Sequence, residues 1–263
     1  MAQAGIASLW IGAELGWIEK LCLASFAAQG HAVTLFSYDP VAGLPEGVST
    51  ASANEIWDMP DPGFVARTGP SYVADIFRIH LMAKTDLIWV DTDAYCLKPF
   101  VPDGAGFLVG HYHDRVEIAN GVVRLPQGSE TLAFLQRLLL DRDFIPPWIR
   151  PALRKRLERM PAEARFEAQY HIKRTILGPR ALTAGLRQTG EDSHAVHERV
   201  LYPVPWELND IFFNPYGGVD GWCADDTISV HFYGSQIRRA NRHRFPPHPD
   251  SFLGGALAQH GMV

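Results

Sequence analysis

The sequence predicts an α/β fold in which helices flank a mainly parallel central sheet. An apolar segment at 6–12 (IASLWIG) is followed at 17–30 by residues whose apolar positions recur with helical spacing, and then by HAVTLFSYD at 31–39. A strand, a helix and a second strand in such close succession are typical of a right-handed crossover between parallel strands. At 263 residues, we expect one domain spanning 1–263 that buries a substantial core.

The later segments continue the same pattern. Residues 40–70 are rich in Pro, Gly, Ser and Asp and are predicted to be connections, with a candidate edge strand and turn at 49–59. The remaining predicted elements are a helix at 71–85, a strand at 86–93, strands within 106–113 and 117–126, a helix at 129–144 with Ser129 as N-cap, a basic helix within 146–161, helices within 162–190 interrupted at Gly178-Pro179, and a late strand within 225–236.

Composition excludes several classes of protein. The formal net charge is −5, with 47% hydrophobic and 20% charged residues, so bulk charge gives no general attraction to nucleic acid or acidic membranes. The three cysteines, Cys22, Cys96 and Cys223, are far apart and form no CxxC pair, which argues against a disulfide framework or a structural zinc site. The N-terminal stretch has neither a basic region nor a long apolar span, and we expect a cytoplasmic protein.

Two acids directly follow an apolar run in LIWVDTD. Ligands of open α/β sheets gather at the carboxyl ends of the strands, and Asp91 and Asp93 lie at that end. Residues two apart on an extended segment project to the same side, so both carboxylates can face one hard cation such as Mg²⁺ or Mn²⁺. Alone, Asp-x-Asp is common in turns, and a solvated strand end is the alternative. The preceding helix places Asp75 and Arg78 on one face, where an ordinary surface ion pair is the alternative.

The segment ADIFRIHLMAKTDLIWVDTDAYCLKP at 74–99 resembles the signature of the glycosyltransferases with a DXD sugar-binding region. This group contains α-1,6-mannosyltransferases, α-1,4-galactosyltransferases and, more distantly, the large clostridial glucosylating toxins. In it, an Asp-x-x-Arg helix precedes an Asp-x-Asp strand, usually ending in Leu-Lys-Pro, as 97–99 does here. The match covers about a tenth of the chain. One departure is Lys84-Thr85-Asp86, where the relatives often have Gly-Gly.

The resemblance implies a single GT-A-type (Rossmann-like) nucleotide-sugar-binding domain, with a nucleotide-binding half at 1–100 and an acceptor-side half at 101–263. It implies that Asp91, Asp93 and His231, in the segment VHFYGS, hold a metal ion. An imidazole ligand favours Mn²⁺ over Mg²⁺. The alternative is that His231 is a structural or surface histidine, as most single histidines are.

The resemblance also assigns residues to the nucleotide sugar. Leu9, Trp10 and Ile11 would hold the nucleotide base, with Trp10 stacked on it, and a core tryptophan is the alternative. Asp75 and Arg78, with Asp91, would contact the donor's sugar and diphosphate. Their catalytic partner would be Asn120, which could equally belong to an Asn-Gly hairpin turn. The segment GPRALTAGLR at 178–187 supports the family and identifies no catalytic residue.

The function implied is that of a metal-dependent hexosyltransferase. It would use Mn²⁺ or Mg²⁺ and a UDP- or GDP-hexose donor, act on a saccharide or lipid-linked saccharide acceptor, retain the anomeric configuration, and serve bacterial surface polysaccharide or lipopolysaccharide synthesis. No nucleic acid partner is expected. The basic helix within 146–161 leaves open a peripheral contact with the inner membrane face, with a solvated helix face as the favoured interpretation. The rival functions are a nucleotidyltransferase that uses the same acids and a non-catalytic sugar-nucleotide-binding protein.

Overall fold

The computed structural model describes residues 3–113, 116–141, 143–172 and 176–262. The strands among these residues are β1 (Ile6–Trp10), β2 (Val33–Ser37), β3 (Val48–Ser52), β4 (Ile88–Val90), β5 (Ala94–Cys96), β6 (Leu108–His111), β7 (Ile118–Arg124), β8 (Ala195–Val196) and β9 (Ser229–His231). The α-helices are α1 (Trp17–Ala28), α2 (Phe64–Thr68), α3 (Pro70–Lys84), α4 (Glu130–Leu140), α5 (Pro151–Glu158), α6 (Ala162–Ile172), α7 (Pro179–Thr189), α8 (Glu198–Leu201), α9 (Gly234–Arg239) and α10 (Phe252–Gln259). Short 3₁₀ helices occupy Ala53–Glu55, Glu191–His194, Trp206–Phe213, Val219–Gly221 and Arg242–Arg244.

The central sheet has the strand order β3-β2-β1-β4-β7-β6-β8. Strands β1 to β4 pair in parallel, β7 is antiparallel to both β4 and β6, and β8 is parallel to β6. The predicted α/β fold with a mainly parallel sheet flanked by helices is therefore confirmed, and it is consistent with a GT-A-type domain. From β1 the chain runs outwards to β2 and β3 and then returns to β4 on the other side of β1. This reversal of strand order lies between β1 and β4, where sheets of this class bind ligands.

Strand β4 is buried on both faces, as its uninterrupted apolar sequence predicts. Trp89 packs into the core cluster that contains the apolar face of α3, whereas Ile88 and Val90 pack on the opposite face of the sheet. The hydroxyl of Ser8 in β1 donates to the carbonyl of Val90 over 2.8 Å and satisfies a buried polar group between the two strands. The end of β4 is thus fixed in both layers of the core.

A second, two-stranded sheet joins β5 to β9 in an antiparallel pair. A third core cluster supports it, in which Phe212, Phe232 and Phe252 pack against one another and against the buried face of α1. Because this cluster includes Val230 of β9 and the adjacent Phe232, its packing holds His231 in position at the end of that strand. The sequence did not predict β5 as a strand of its own, nor β8.

The predicted helices form with shifted ends. α3 covers Pro70–Lys84 where 71–85 was predicted, and only Pro151–Glu158 of the basic segment 146–161 is α-helical. The predicted interruption is confirmed, since Gly178 precedes α7 and Pro179 is its first residue. Residues 142 and 173–175 of the predicted helical segments lie outside the described residues. Across the described part of the chain, every helix is too short or too polar to cross a membrane.

Candidate metal centre

Asp91 and Asp93 lie in a tight turn between β4 and β5. The backbone N–H of Ala94 donates to the carbonyl of Asp91 over 3.0 Å, which closes the turn. The expectation that the two acids project to one side of an extended segment is therefore wrong, because the chain turns at Thr92. The side chains converge instead because the turn leads directly into β5, which pairs with the strand that carries His231.

His231 faces both acids. It pairs with Ala94 across the β5–β9 ladder, and its Nε2 lies 3.2 Å from Oδ1 of Asp93 and 3.8 Å from Oδ2 of Asp91. One ligand atom from each of the three residues lies within 4.8 Å of the others. The histidine is buried, whereas the side chains of Asp91 and Asp93 are 30% and 16% exposed to solvent. The group is therefore open to solvent on the carboxylate side and could hold a metal ion.

The donor set fits a divalent cation that accepts both oxygen and nitrogen. Burial alone would lower the pKa of His231, but Asp93 and Asp91 outweigh it and raise that pKa above its usual value. Nδ1 of His231 accepts the N–H of Tyr233 over 3.2 Å, so the proton lies on Nε2 and faces the carboxylates. A metal bound to Nε2 would displace this proton. The neutral imidazole would then carry its proton on Nδ1 and could no longer accept the hydrogen bond from the N–H of Tyr233.

Two glycines allow the group to assemble. A Cβ built on Gly121 in β7 would lie 2.8 Å from Nε2 of His231 and 3.2 Å from Oδ2 of Asp91. Gly234, the first residue of α9, donates its N–H to Oδ2 of Asp93 over 2.7 Å, and a Cβ there would lie 3.2 Å from the same oxygen. A side chain at Gly121 would therefore press on both His231 and Asp91. Sequence reasoning missed both glycines, although Gly121 directly follows the predicted Asn120.

Arg78 lies at the centre of a buried charge network behind Asp91. Its Nη2 lies 3.3 Å from Oδ1 of Asp75 and 3.3 Å from Oδ1 of Asp91, and its Nη1 donates to the carbonyl of Asn120. The guanidinium also lies over the ring of Trp89, 4.7 Å from its centroid. With a buried arginine bridging two acids, the alternative of an ordinary surface ion pair is wrong.

Asp75 is held in the same network. Burial raises its pKa to about 6, against the opposing charge of Arg78. The side-chain amide of Asn120 donates to Oδ1 of Asp75 over 2.9 Å. Gly178 lies close to both groups, because a Cβ there would lie 2.8 Å from the Asp75 carboxylate and 2.8 Å from the Asn120 amide nitrogen. Asn120 and Gly121 are both inside β7, so the hairpin-turn alternative is wrong.

Trp89 is a further residue that sequence reasoning missed. Its Nε1 donates to Oδ1 of Asp91 over 2.9 Å, which orients that carboxylate from the core side. Burial alone would raise the pKa of Asp91, but Arg78 and His231 together with this bond lower it. The available signal was position, since Trp89 lies two residues before Asp91 in the sequence.

The three residues expected at the nucleotide base occupy different environments. Leu9 is buried in the core, Trp10 is half-buried at the end of β1, and Ile11 packs partly against the core. Since Ala7 pairs with Trp89, the end of β1 reaches the same sheet edge as Asp91. The Nε1 of Trp10 is buried with no hydrogen-bond partner among the described residues, which marks a polar group that a ligand at this edge could satisfy.

The fold of this chain is similar to that of a solved structure. No family model matches the sequence, and a search of curated proteins gives no match. A solved structure named "PaToxG Glycosyltransferase" is similar over 73% of this chain and 71% of its own, with 14% sequence identity and a TM-score of 0.46. At this identity and TM-score, the likeness does not establish a function for this chain.

Proposed function

We propose that this chain is a metal-dependent glycosyltransferase that moves a hexose from a nucleotide-diphospho-sugar to a saccharide or lipid-linked saccharide acceptor. The observation that carries the proposal is the convergence of Asp91, Asp93 and His231 at the sheet edge where the strand order reverses. This arrangement resembles the DXD glycosyltransferases more closely than the Asp-x-Asp sequence alone does, since the histidine comes from a strand 138 positions later in the chain.

In this proposal, Mn²⁺ or Mg²⁺ at the group supplies Lewis-acid stabilisation of the charge that develops on the leaving diphosphate. The residues of this chain hold and orient the reactants around it. Arg78 neutralises negative charge next to Asp91, and Asp75 and Asn120 supply an acceptor and a donor of hydrogen bonds for the hydroxyls of the sugar. Trp10, half-buried at the end of β1, offers an aromatic face for the base of a UDP or GDP nucleotide.

The finer assignments extend the family resemblance. We propose retention of the anomeric configuration, a role in bacterial surface polysaccharide or lipopolysaccharide synthesis, and a location in the cytoplasm. The exposed basic helix α5 would provide a peripheral contact with an anionic membrane face.

A binding screen tests the donor and metal together. The purified protein is mixed with UDP-glucose, UDP-galactose, UDP-N-acetylglucosamine and GDP-mannose, each with Mn²⁺, Mg²⁺ or EDTA, and thermal unfolding and slow donor hydrolysis are measured. A ligand of the native state raises the apparent melting temperature by mass action. We expect one nucleotide sugar to stabilise the protein in Mn²⁺ and not in EDTA, and to be hydrolysed slowly.

A matched pair of variants assigns the effect to the site. Asp93→Asn removes the charge that faces His231 and should abolish the Mn²⁺-dependent response while leaving the protein folded. Asp86→Asn alters an 80% exposed acid at the opposite end of β4 and should leave the response unchanged. Tight donor binding without hydrolysis or transfer would indicate the sugar-nucleotide-binding alternative. No metal-dependent response to any of the four donors would overturn the proposal.

A further inference from the structure

A groove begins beside the metal group and runs along the surface between the 3₁₀ helix Trp206–Phe213 and α9. It consists of two cavities of about 460 and 280 Å³ that share Trp206, Glu207 and Gln236 as lining residues. We call this pair of cavities the Trp206 groove. Its combined space lies within the range of pockets that bind ligands of drug size.

The inner end of the groove adjoins the candidate metal centre. Tyr233 lines the larger cavity, and its ring centroid lies 4.7 Å from that of His231. Pro179 lines the same cavity and directly follows Gly178, whose backbone packs against the carboxylate of Asp75. A molecule in the larger cavity therefore lies next to the groups that would surround the donor sugar.

Trp206 belongs to none of the three hydrophobic clusters formed by the described residues. It is 50% exposed at the start of its 3₁₀ helix and stands where the two cavities meet. A half-exposed indole at the junction of two cavities leaves an apolar aromatic face within reach of a ligand.

The polar groups around this ring suit hydroxyls. Glu207 offers an exposed carboxylate that accepts hydrogen bonds, and Gln236 offers an amide that both donates and accepts. Arg239 lines the outer cavity and donates from Nη1 to Oε1 of Gln236 over 3.2 Å, which orients the amide. A pyranose ring has an apolar C–H face and a rim of hydroxyls, and these match an aromatic face with donors and acceptors at its edge.

The walls of the groove disfavour a peptide that binds as an added β-strand. The described residues that line both cavities lie in helices, turns and loops, so these walls present no strand edge for a peptide backbone to pair with. Sugar hydroxyls need no such edge.

We infer that the Trp206 groove binds a saccharide of at least two pyranose residues, one in each cavity, with Trp206 stacked between them. The assignment of the groove as the acceptor site rests on the proposed transfer reaction and deepens it, because it names oligosaccharides as the acceptors. The binding of a saccharide in the groove is argued from the residues of the groove alone.

The test measures sugar binding by titration calorimetry without donor or metal. The probes are lactose, maltose and α-1,6-mannobiose and the methyl glycosides of glucose, galactose and mannose, with a random hexapeptide mixture as the peptide probe. We expect at least one disaccharide to bind more tightly than the corresponding methyl glycosides. Trp206→Ala should weaken that disaccharide about tenfold. Tyr216→Ala, which removes a ring that is 96% exposed and lies outside both cavities, should have no effect.

The outcomes separate this inference from the proposed function. The groove assignment would be overturned if no sugar binds, if mono- and disaccharides bind with equal affinity, or if Trp206→Ala leaves the affinity for the disaccharide unchanged. It would also be overturned if the peptides, instead of the sugars, bind in a way that depends on Trp206. Sugar binding at Trp206 in a protein without metal-dependent donor binding would support the groove and contradict the transferase. In Trp206→Ala, metal-dependent donor binding should match that of the unaltered protein, since the residue lies outside the metal centre.

Discussion

Replacement of Gly121 by alanine should damage the metal centre directly. The added Cβ would lie 2.8 Å from Nε2 of His231, whereas ordinary contacts with a Cβ begin at 3.4 Å, so the imidazole must retreat by about 0.6 Å or the strand must move. Asp91 must also yield, since its Oδ2 would lie 3.2 Å from the same carbon. Two of the three candidate ligands are thus displaced by one methyl group.

The size of the effect follows from the tolerance of metal sites. Ligands must be held within roughly 0.5 Å of their productive positions, and changes just outside the ligand set commonly cost about 10- to 100-fold in metal affinity. We expect a loss of Mn²⁺ affinity in this range. Overpacking of a buried site also costs about 1–3 kcal/mol of stability, which lowers the melting temperature by several degrees in a chain of this size.

Mn²⁺ binding is measured by electron paramagnetic resonance of the free ion, and folding by far-UV circular dichroism and thermal unfolding. Gly128→Ala is the matched control, because a Cβ at Gly128 meets no atom within 4 Å. If folded Gly121→Ala binds Mn²⁺ as tightly as the Gly128→Ala control does, the assignment of the ion to this group is refuted.

Two further predictions concern the charges behind the metal centre. The pKa of Asp75 is raised to about 6 from 3.8, so the folded protein binds the proton more tightly and the stability contributed by Asp75 is present below pH 4 and lost as the pH rises to about 6. Urea denaturation at pH 4, 5, 6 and 7 gives the unfolding free energy of the unaltered protein and of Asp75→Asn. We expect the difference, unaltered protein minus variant, to fall by at most about 3 kcal/mol up to pH 6 and then to level off. A rise in this difference would contradict the prediction. Arg78→Ala leaves Asp75 and Asp91 without their shared counter-charge and should destabilise the protein by about 3–5 kcal/mol. The control Arg154→Ala breaks an exposed pair with Glu158 and should change the urea midpoint little. Equal effects of the two substitutions would contradict the role of Arg78.

The parts of the fold predicted from sequence are those with a strong local signal. The apolar runs of β1, β2 and β4 and the helical spacing of α1 and α3 are read from the residues themselves, because both faces of a central strand and one face of a helix must be buried. Strands β5 and β8 have three and two residues, and each exists only because a distant strand pairs with it. Such pairings are set by tertiary structure, which local sequence does not record.

The same distinction applies to the site. Asp91, Asp93, Asp75 and Arg78 lie within one continuous segment, so a motif can identify them together. Gly121 shows what a motif cannot identify, because Asn-Gly is ordinarily a turn signal, whereas here it lies inside β7 and next to His231. The need for glycine there comes from a side chain that lies 110 positions away in the sequence.

The charges of the centre give an independent reason to expect a cation. When ionised, the carboxylates of Asp75, Asp91 and Asp93 carry three negative charges, and the guanidinium of Arg78 supplies one positive charge. A proton on His231 compensates only part of the remainder, and all of these groups are at least half-buried, so an excess of negative charge is costly. A divalent ion beside neutral His231 would balance the set. If a nucleotide diphosphate then binds, it adds negative charge that the metal and Arg78 together must neutralise, and the metal and the donor should therefore increase each other's affinity.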